Sequence, residues 1–244
     1  WPPRTRRGRC TQAGPPVPED PHRPSGAPLP EARPEAERPA AGGPGPGPAR
    51  ALLAMAAVLA LFFAPAILSS DQFLYRDAGR MHWPVKRWVA EQLRQGHLPQ
   101  WNPYIGLGVP LVAGAVDAVQ HPFNLLLVAL PFHAAFKAWI LLSYLLAAAG
   151  AFLWASALGR SFHASLAAGL AFSLSGLLVS TSDNLTYLTA FAALPWLLSA
   201  AHLWLERGGA LRLALLGLAS GAAAAAGDPQ SWGFAVASLP LYAA

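Results

Sequence analysis

The stretch Ala51-Leu-Leu-Ala-Met-Ala-Ala-Val-Leu-Ala-Leu-Phe-Phe-Ala-Pro-Ala-Ile-Leu-Ser-Ser70 runs straight into Asp71-Gln-Phe-Leu-Tyr-Arg-Asp77, and its reading decides the fold. An apolar run of about 20 residues is long enough to cross a bilayer as a helix. Asp71 then stands at the mouth of that helix, where a membrane enzyme can hold a general base against a lipid-borne substrate. A carboxylate that is simply solvated at the membrane border is the plainer alternative.

The rest of the chain agrees with the membrane reading. Its 244 residues are 54% hydrophobic and only 12% charged, and the mean hydropathy is +0.36. Most charges fall before Ala51 or between Asp71 and Gln120. What remains is nearly uncharged, which suits a polytopic membrane protein and not a soluble globule. The pI near 9.9 does not argue for nucleic acid, because the arginines are spread over a tail and loops instead of one face. Basic residues on the cytoplasmic side explain the excess more simply. The single cysteine, Cys10, excludes an internal disulfide framework and a cysteine-based metal site.

Residues 1–50 are rich in Pro, Gly, Ala, Arg and Glu with almost no large apolar side chain, so a disordered tail is expected there. Residues 51–244 form the expected transmembrane domain, an all-α polytopic helix bundle. Its first loop, residues 71–122, is long and carries an amphipathic helix from Gly79 to Arg94, with Met81, Val85, Val89 and Leu93 at helical spacing. That helix either lies along the membrane surface or packs on the protein's own loop. Phe123 to Leu130 is too short to cross and reads as re-entrant or interfacial. Further spans are expected over Ala134 to Leu158, Ala164 to Ser180, Leu185 to Leu205 and Leu211 to Ala226. A last apolar segment starts near Trp232 and is still running at Ala244, so a longer native chain, truncated here at its C-terminus, is expected. At the other end, Trp1 in place of Met leads to the expectation of either a fragment or an over-extended reading frame, with Met55 as the alternative start.

Short loops set the orientation. Arg160, Arg207 and Arg212 fall in one set of turns, Asp183 and Asp228 in the alternate set. By the positive-inside rule the arginine turns are cytoplasmic, and the Asp71 loop is external together with Asp183 and Asp228.

Within the long loop, Gly and Pro give a chain of tight turns through Gly96-His-Leu-Pro-Gln-Trp-Asn-Pro-Tyr-Ile-Gly-Leu-Gly-Val-Pro110. Trp101, Asn102 and Tyr104 are then held near the membrane surface. Trp and Tyr commonly serve there as interfacial anchors, which leaves Asn102 as the harder residue to explain. These motifs, with Tyr75-Arg-Asp77, His121-Pro-Phe-Asn-Leu125, Ala167-Ala-Gly-Leu-Ala-Phe-Ser-Leu-Ser-Gly176, Leu194-Pro-Trp196 and Gly227-Asp-Pro-Gln230, occur in an order that resembles the YfhO family of bacterial polytopic membrane proteins. The resemblance covers about residues 55 to 244. It departs at Asp228, where His is expected in many relatives, and in lacking the C-terminal half of the family's usual length.

The resemblance implies a glycosyltransferase of GT-C architecture in the bacterial plasma membrane. Such an enzyme takes a sugar from a polyprenyl-phosphate carrier and passes it to a cell-envelope acceptor outside. It further implies Asp71 or Asp77 as the base, with Arg76, Arg80, Trp101, Asn102 and Tyr104 on the substrate. Arg76, Arg80, Lys86 and Arg87 are the cations near enough in sequence to steady a leaving phosphate. No organic cofactor is expected. A divalent metal between Asp71 and Asp77 stays open as an alternative, resting on two acids without a third ligand. The alternative to an enzyme is a non-catalytic membrane protein such as a polysaccharide or lipid transporter. That alternative calls for ionisable residues inside the spans, where Lys137 is almost alone.

Overall fold

The computed structural model describes residues 47–114 and 117–243; the expected disordered tail lies almost wholly outside the described residues. The fold is mostly helical. The first helix, α1 (Pro48–Phe62), starts on Pro48, whose missing N–H is no loss at a helix start. The expected unbroken first span does not form. Pro65 cannot donate to the carbonyl four residues back, so the helix breaks at Phe63 and resumes as the short α2 (Ala64–Leu68). Ala51, Met55 and Leu59 form the buried stripe of α1.

A π-helical turn, Ala78–His82, leads into α3 (Trp83–Arg94). Val85, Val89 and Ala90 are buried as the spacing requires, whereas Met81 is exposed. The apolar face of α3 packs on α5 (Asn124–Ala129) and the start of α6 (Phe132–Ala157), so it is spent on the protein itself. Between α3 and α5 come β1 (Trp101–Asn102) and β2 (Val109–Pro110), an antiparallel pair with Trp101 opposite Pro110, and the one-turn α4 (Leu111–Gly114). This small hairpin is the one departure from an all-helical reading among the described residues.

The body is built from α6, α7 (Phe162–Ser173), α8 (Gly176–Ser180) and α9 (Leu185–Arg207), followed by α10 (Ala210–Ala225) and α11 (Pro229–Ala243). Three stretches are long and apolar enough to cross a membrane: Phe132–Ala157, Phe162–Asp183 and Leu185–Arg207. Helix α10 has the 16 residues of the expected Leu211–Ala226 segment, shifted by one position, and ranks among the shorter apolar helices; the second of the three stretches is interrupted between α7 and α8. Small residues let these helices touch. A Cβ on Gly150 of α6 would come within 2.5 Å of the Trp196 ring of α9, and one on Gly169 of α7 within 2.7 Å of the Ala148 carbonyl oxygen. The Trp196 indole N–H donates to the Leu146 carbonyl at 2.8 Å, and that of Trp139 to Thr189 Oγ1 at 3.0 Å. With no aqueous competitor in an apolar interior, such bonds and close contacts hold helices together where the hydrophobic effect does not.

Candidate functional site

The turn before Asp71 is fixed from below. Lys137, near the start of α6, donates to the carbonyls of Ala66 (2.6 Å) and Ser69 (2.9 Å), the free acceptors at the end of α2. This cation is therefore structural. Asp71 itself is exposed, with its backbone N–H on Ser69 Oγ at 3.2 Å.

Five residues on, the chain turns through Arg76 in the left-handed region (φ 47°) and enters the π-helical turn. That bend carries Arg76 to the 3₁₀ turn Thr181–Asp183, where its Nε meets Asp183 Oδ2 at 3.3 Å. The ion pair joins the two acid-bearing loops. Arg76 thus pairs across the two loops and not with its sequence neighbour Asp77. Asp77 is half-buried on the same rim, and Arg80 is exposed beside it.

Beneath the rim lies His82, buried in the last position of the π-helical turn. Burial first, then the charge of Lys86, pushes its imidazole down to about 4; Asn184, Asp77 and Asp183 pull the other way. His82 is therefore neutral at neutral pH. Its Nε2 is buried without a hydrogen-bond partner, as is Oε1 of Gln72 in the same rim segment.

One helical turn further, Lys86 is only 1% exposed. Its Nζ donates to the Asp117 carbonyl at 2.7 Å, to Asn124 Oδ1 at 3.1 Å and to the Ala118 carbonyl at 3.4 Å. It also lies 4.2 Å from the centre of the Trp139 ring. Three acceptors match the three N–H donors of an ammonium, and the Trp139 face adds a cation–π contact. Burial lowers the group to about 7, with the Asp117 carboxylate opposing, and the same burial raises Asp117. Asn124 completes the knot, its amide donating to the carbonyls of Ala118, Val119 and His121. Next to it, His121 accepts from the Phe123 N–H through Nδ1, and burial takes this ring to about 4 as well. Lys86 is thus removed from the set of cations facing a leaving phosphate.

Trp101, Asn102 and Tyr104 belong to the hairpin and make their contacts there. Asn102 is buried and its Oδ1 accepts from the Tyr104 N–H at 2.9 Å, a local turn in which the side chain replaces a backbone acceptor. The Trp88 indole N–H donates to the Trp101 carbonyl, and its ring stands edge-on to Tyr104 at 5.2 Å. Among the described residues these three make no hydrogen bond with Asp71, Arg76, Asp77 or Arg80. Nor do three or more His, Cys, Asp or Glu side chains assemble into a metal-holding group among the described residues.

Sequence reasoning left His82, Asp117 and Asn124 without a role and placed Lys86 beside a leaving phosphate instead of in this buried knot. The available signal was the i, i+4 step from His82 to Lys86, which lies beside the Val85–Val89 stripe. Compared with protein-family models, curated proteins and solved structures, the chain gives no match.

Proposed function

We propose that this chain is an integral membrane glycosyltransferase of GT-C type, similar to the YfhO family. On this reading it moves a sugar from a polyprenyl-phosphate carrier to an acceptor outside the bacterial inner membrane. The proposal includes a multi-pass bundle whose loop 71–122 is external, together with Asp183 and Asp228.

One observation carries the reading: two buried polar atoms without hydrogen-bond partners among the described residues, Gln72 Oε1 and His82 Nε2, occur in the same segment as Asp71 and Asp77. Buried polar atoms normally have partners, so orphaned ones beside carboxylates suit a ligand rich in hydroxyl groups. In the transfer, Asp71 or Asp77 takes the proton of the acceptor hydroxyl. The oxygen then forms the new bond to the anomeric carbon, and the carrier phosphate leaves with the electron pair of the old one. With Lys86 buried, Arg80 and Arg87 are exposed cations that could meet that phosphate, and Arg76, which faces Asp183, keeps most of its side chain exposed as well.

The rival reading, a transporter, needs ionisable groups inside the spans. Lys137 is the candidate there, and its ammonium is already bound to two carbonyls.

Transfer assays on Asp71→Asn and Asp77→Asn test the proposal. Asp71→Asn should lower turnover by about 100-fold or more while donor binding changes little. Loss confined to Asp77→Asn assigns the base to Asp77. Normal transfer in both variants and in the double variant removes the enzymatic reading.

A further inference from the structure

The hairpin between α3 and α4 presents an apolar tip that no part of the described chain covers. Trp101, Tyr104, Ile105 and Leu107 are all exposed, and Leu107 is fully so. From Leu98 to Gly114 there is no charged residue. A flexible loop could hide such side chains by folding over them, but this one is braced. Gly108 lies so close to Trp101 that a Cβ there would come within 2.5 Å of its ring, and the Gly108 N–H donates to the Ile105 carbonyl at 2.9 Å. Together with the Asn102 turn and Trp88, these contacts hold Leu107 in the left-handed region, at φ 40°. That conformation is unfavourable for a branched side chain, and it keeps the leucine pointing outward.

The surroundings say what covers the tip. Trp83, at one end of α3, packs edge-on against Phe132, His133 and Phe136 with ring centres 4.7 to 5.0 Å apart. At the other end the Arg94 guanidinium donates to the Leu130 carbonyl. Both ends of α3 are thus fixed to the entry of α6, a helix long and apolar enough to cross a membrane. Helix α3 and the hairpin that Trp88 holds to it therefore lie at the end of a span, where headgroups begin. Arg87, Glu91 and Arg94 are exposed on the same helix. An uncharged tip of Trp, Tyr and aliphatic side chains, next to a helix that exposes more arginine than acid, suits a lipid interface with hydrocarbon beneath it.

We propose that the Trp101–Pro110 hairpin is a membrane-dipping element, its Tyr104–Leu107 tip seated among the headgroups and upper acyl chains of the bilayer that the helices cross. The inference rests on the reading of the chain as membrane-spanning and is independent of the proposed chemistry.

The test uses the full chain with Cys10→Ser and one new cysteine carrying an environment-sensitive fluorophore. It is reconstituted in vesicles of phosphatidylethanolamine and anionic phosphatidylglycerol. The sites are Leu107→Cys, with Ile105→Cys as a second tip position, Gln95→Cys as an exposed control and Leu153→Cys within α6. The tip labels should show blue-shifted emission, quenching by nitroxide-bearing lipid and loss of most of the iodide quenching seen at Gln95. Tip labels quenched by iodide like Gln95 would overturn the inference, as would tip labels shielded from iodide but untouched by lipid nitroxide, the mark of a protein partner. Failure of lipid nitroxide to quench Leu153 would instead overturn the membrane-spanning reading beneath it.

Discussion

Arg76 and Lys86 are cations of one segment, and the fold treats them in opposite ways. Arg76 stays 67% exposed and meets one carboxylate, whose own side chain is 16% exposed. Lys86 is taken out of water entirely and given three acceptors and an aromatic face. A charge left at the rim costs little to desolvate and remains open to a ligand. A buried charge is tolerable only when every donor is matched, and it then organises the loop that matches it. The rim and the knot beneath it thus divide the labour: the lower one fixes the shape of residues 117–124, the upper one stays open to chemistry.

The sharpest way to break this division is acid. His82 and His121 titrate near 4 when folded, against 6.5 when free. Between those values the unfolded chain binds protons that the folded chain refuses, so stability should fall as pH drops from 6.5 towards 4. Each histidine adds about 1.4 kcal/mol per pH unit to that slope. Unfolding in detergent across this window checks it, and His82→Gln should remove about half of the slope. A flat profile would mean that these rings are hydrated.

Next in size is the knot itself. Lys86→Met keeps the volume and leaves Asn124 Oδ1 and two carbonyls without their donor, which should cost about 3 kcal/mol in thermal or denaturant unfolding. Wild-type stability should also rise from pH 7 towards 10.5, because the folded Lys86 loses its proton first, and the variant should lack that rise. The smallest expected effect is at the rim. A double-mutant cycle on Arg76 and Asp183 should give a coupling of about 0.5 kcal/mol, since the arginine side of the pair is largely solvated. A coupling as large as that of Lys86 would erase the contrast between the two regions.

Much of the helical framework was legible in the sequence, for reasons that particular residues make plain. Val85 and Val89 mark the inner face of α3 by spacing alone, and long apolar runs mark α6 and α9. Hydropathy was blind to the break at Phe63, because a single Pro65 barely lowers the average of a long apolar run while it interrupts the helix. The site was harder to see. Lys86 finds its acceptors 31 to 38 residues away, and Arg76 meets an acid on another helix connection, so neither fate follows from local pattern. Asn102 was legible in principle, since Asn before Pro commonly turns the chain on its own side chain.

The central claim is that the Asp71 loop and the Asp183 turn form one rim on one side of a membrane. Impermeant maleimide on single cysteines at Tyr75, Ser182 and Glu206, in a Cys10→Ser background and sealed vesicles of known orientation, measures it directly. Tyr75→Cys and Ser182→Cys should label from the outer side, and Glu206→Cys only after the vesicles are opened. Labelling of Tyr75→Cys and Ser182→Cys from opposite sides, or of Ser182→Cys and Glu206→Cys from the same side, would contradict it.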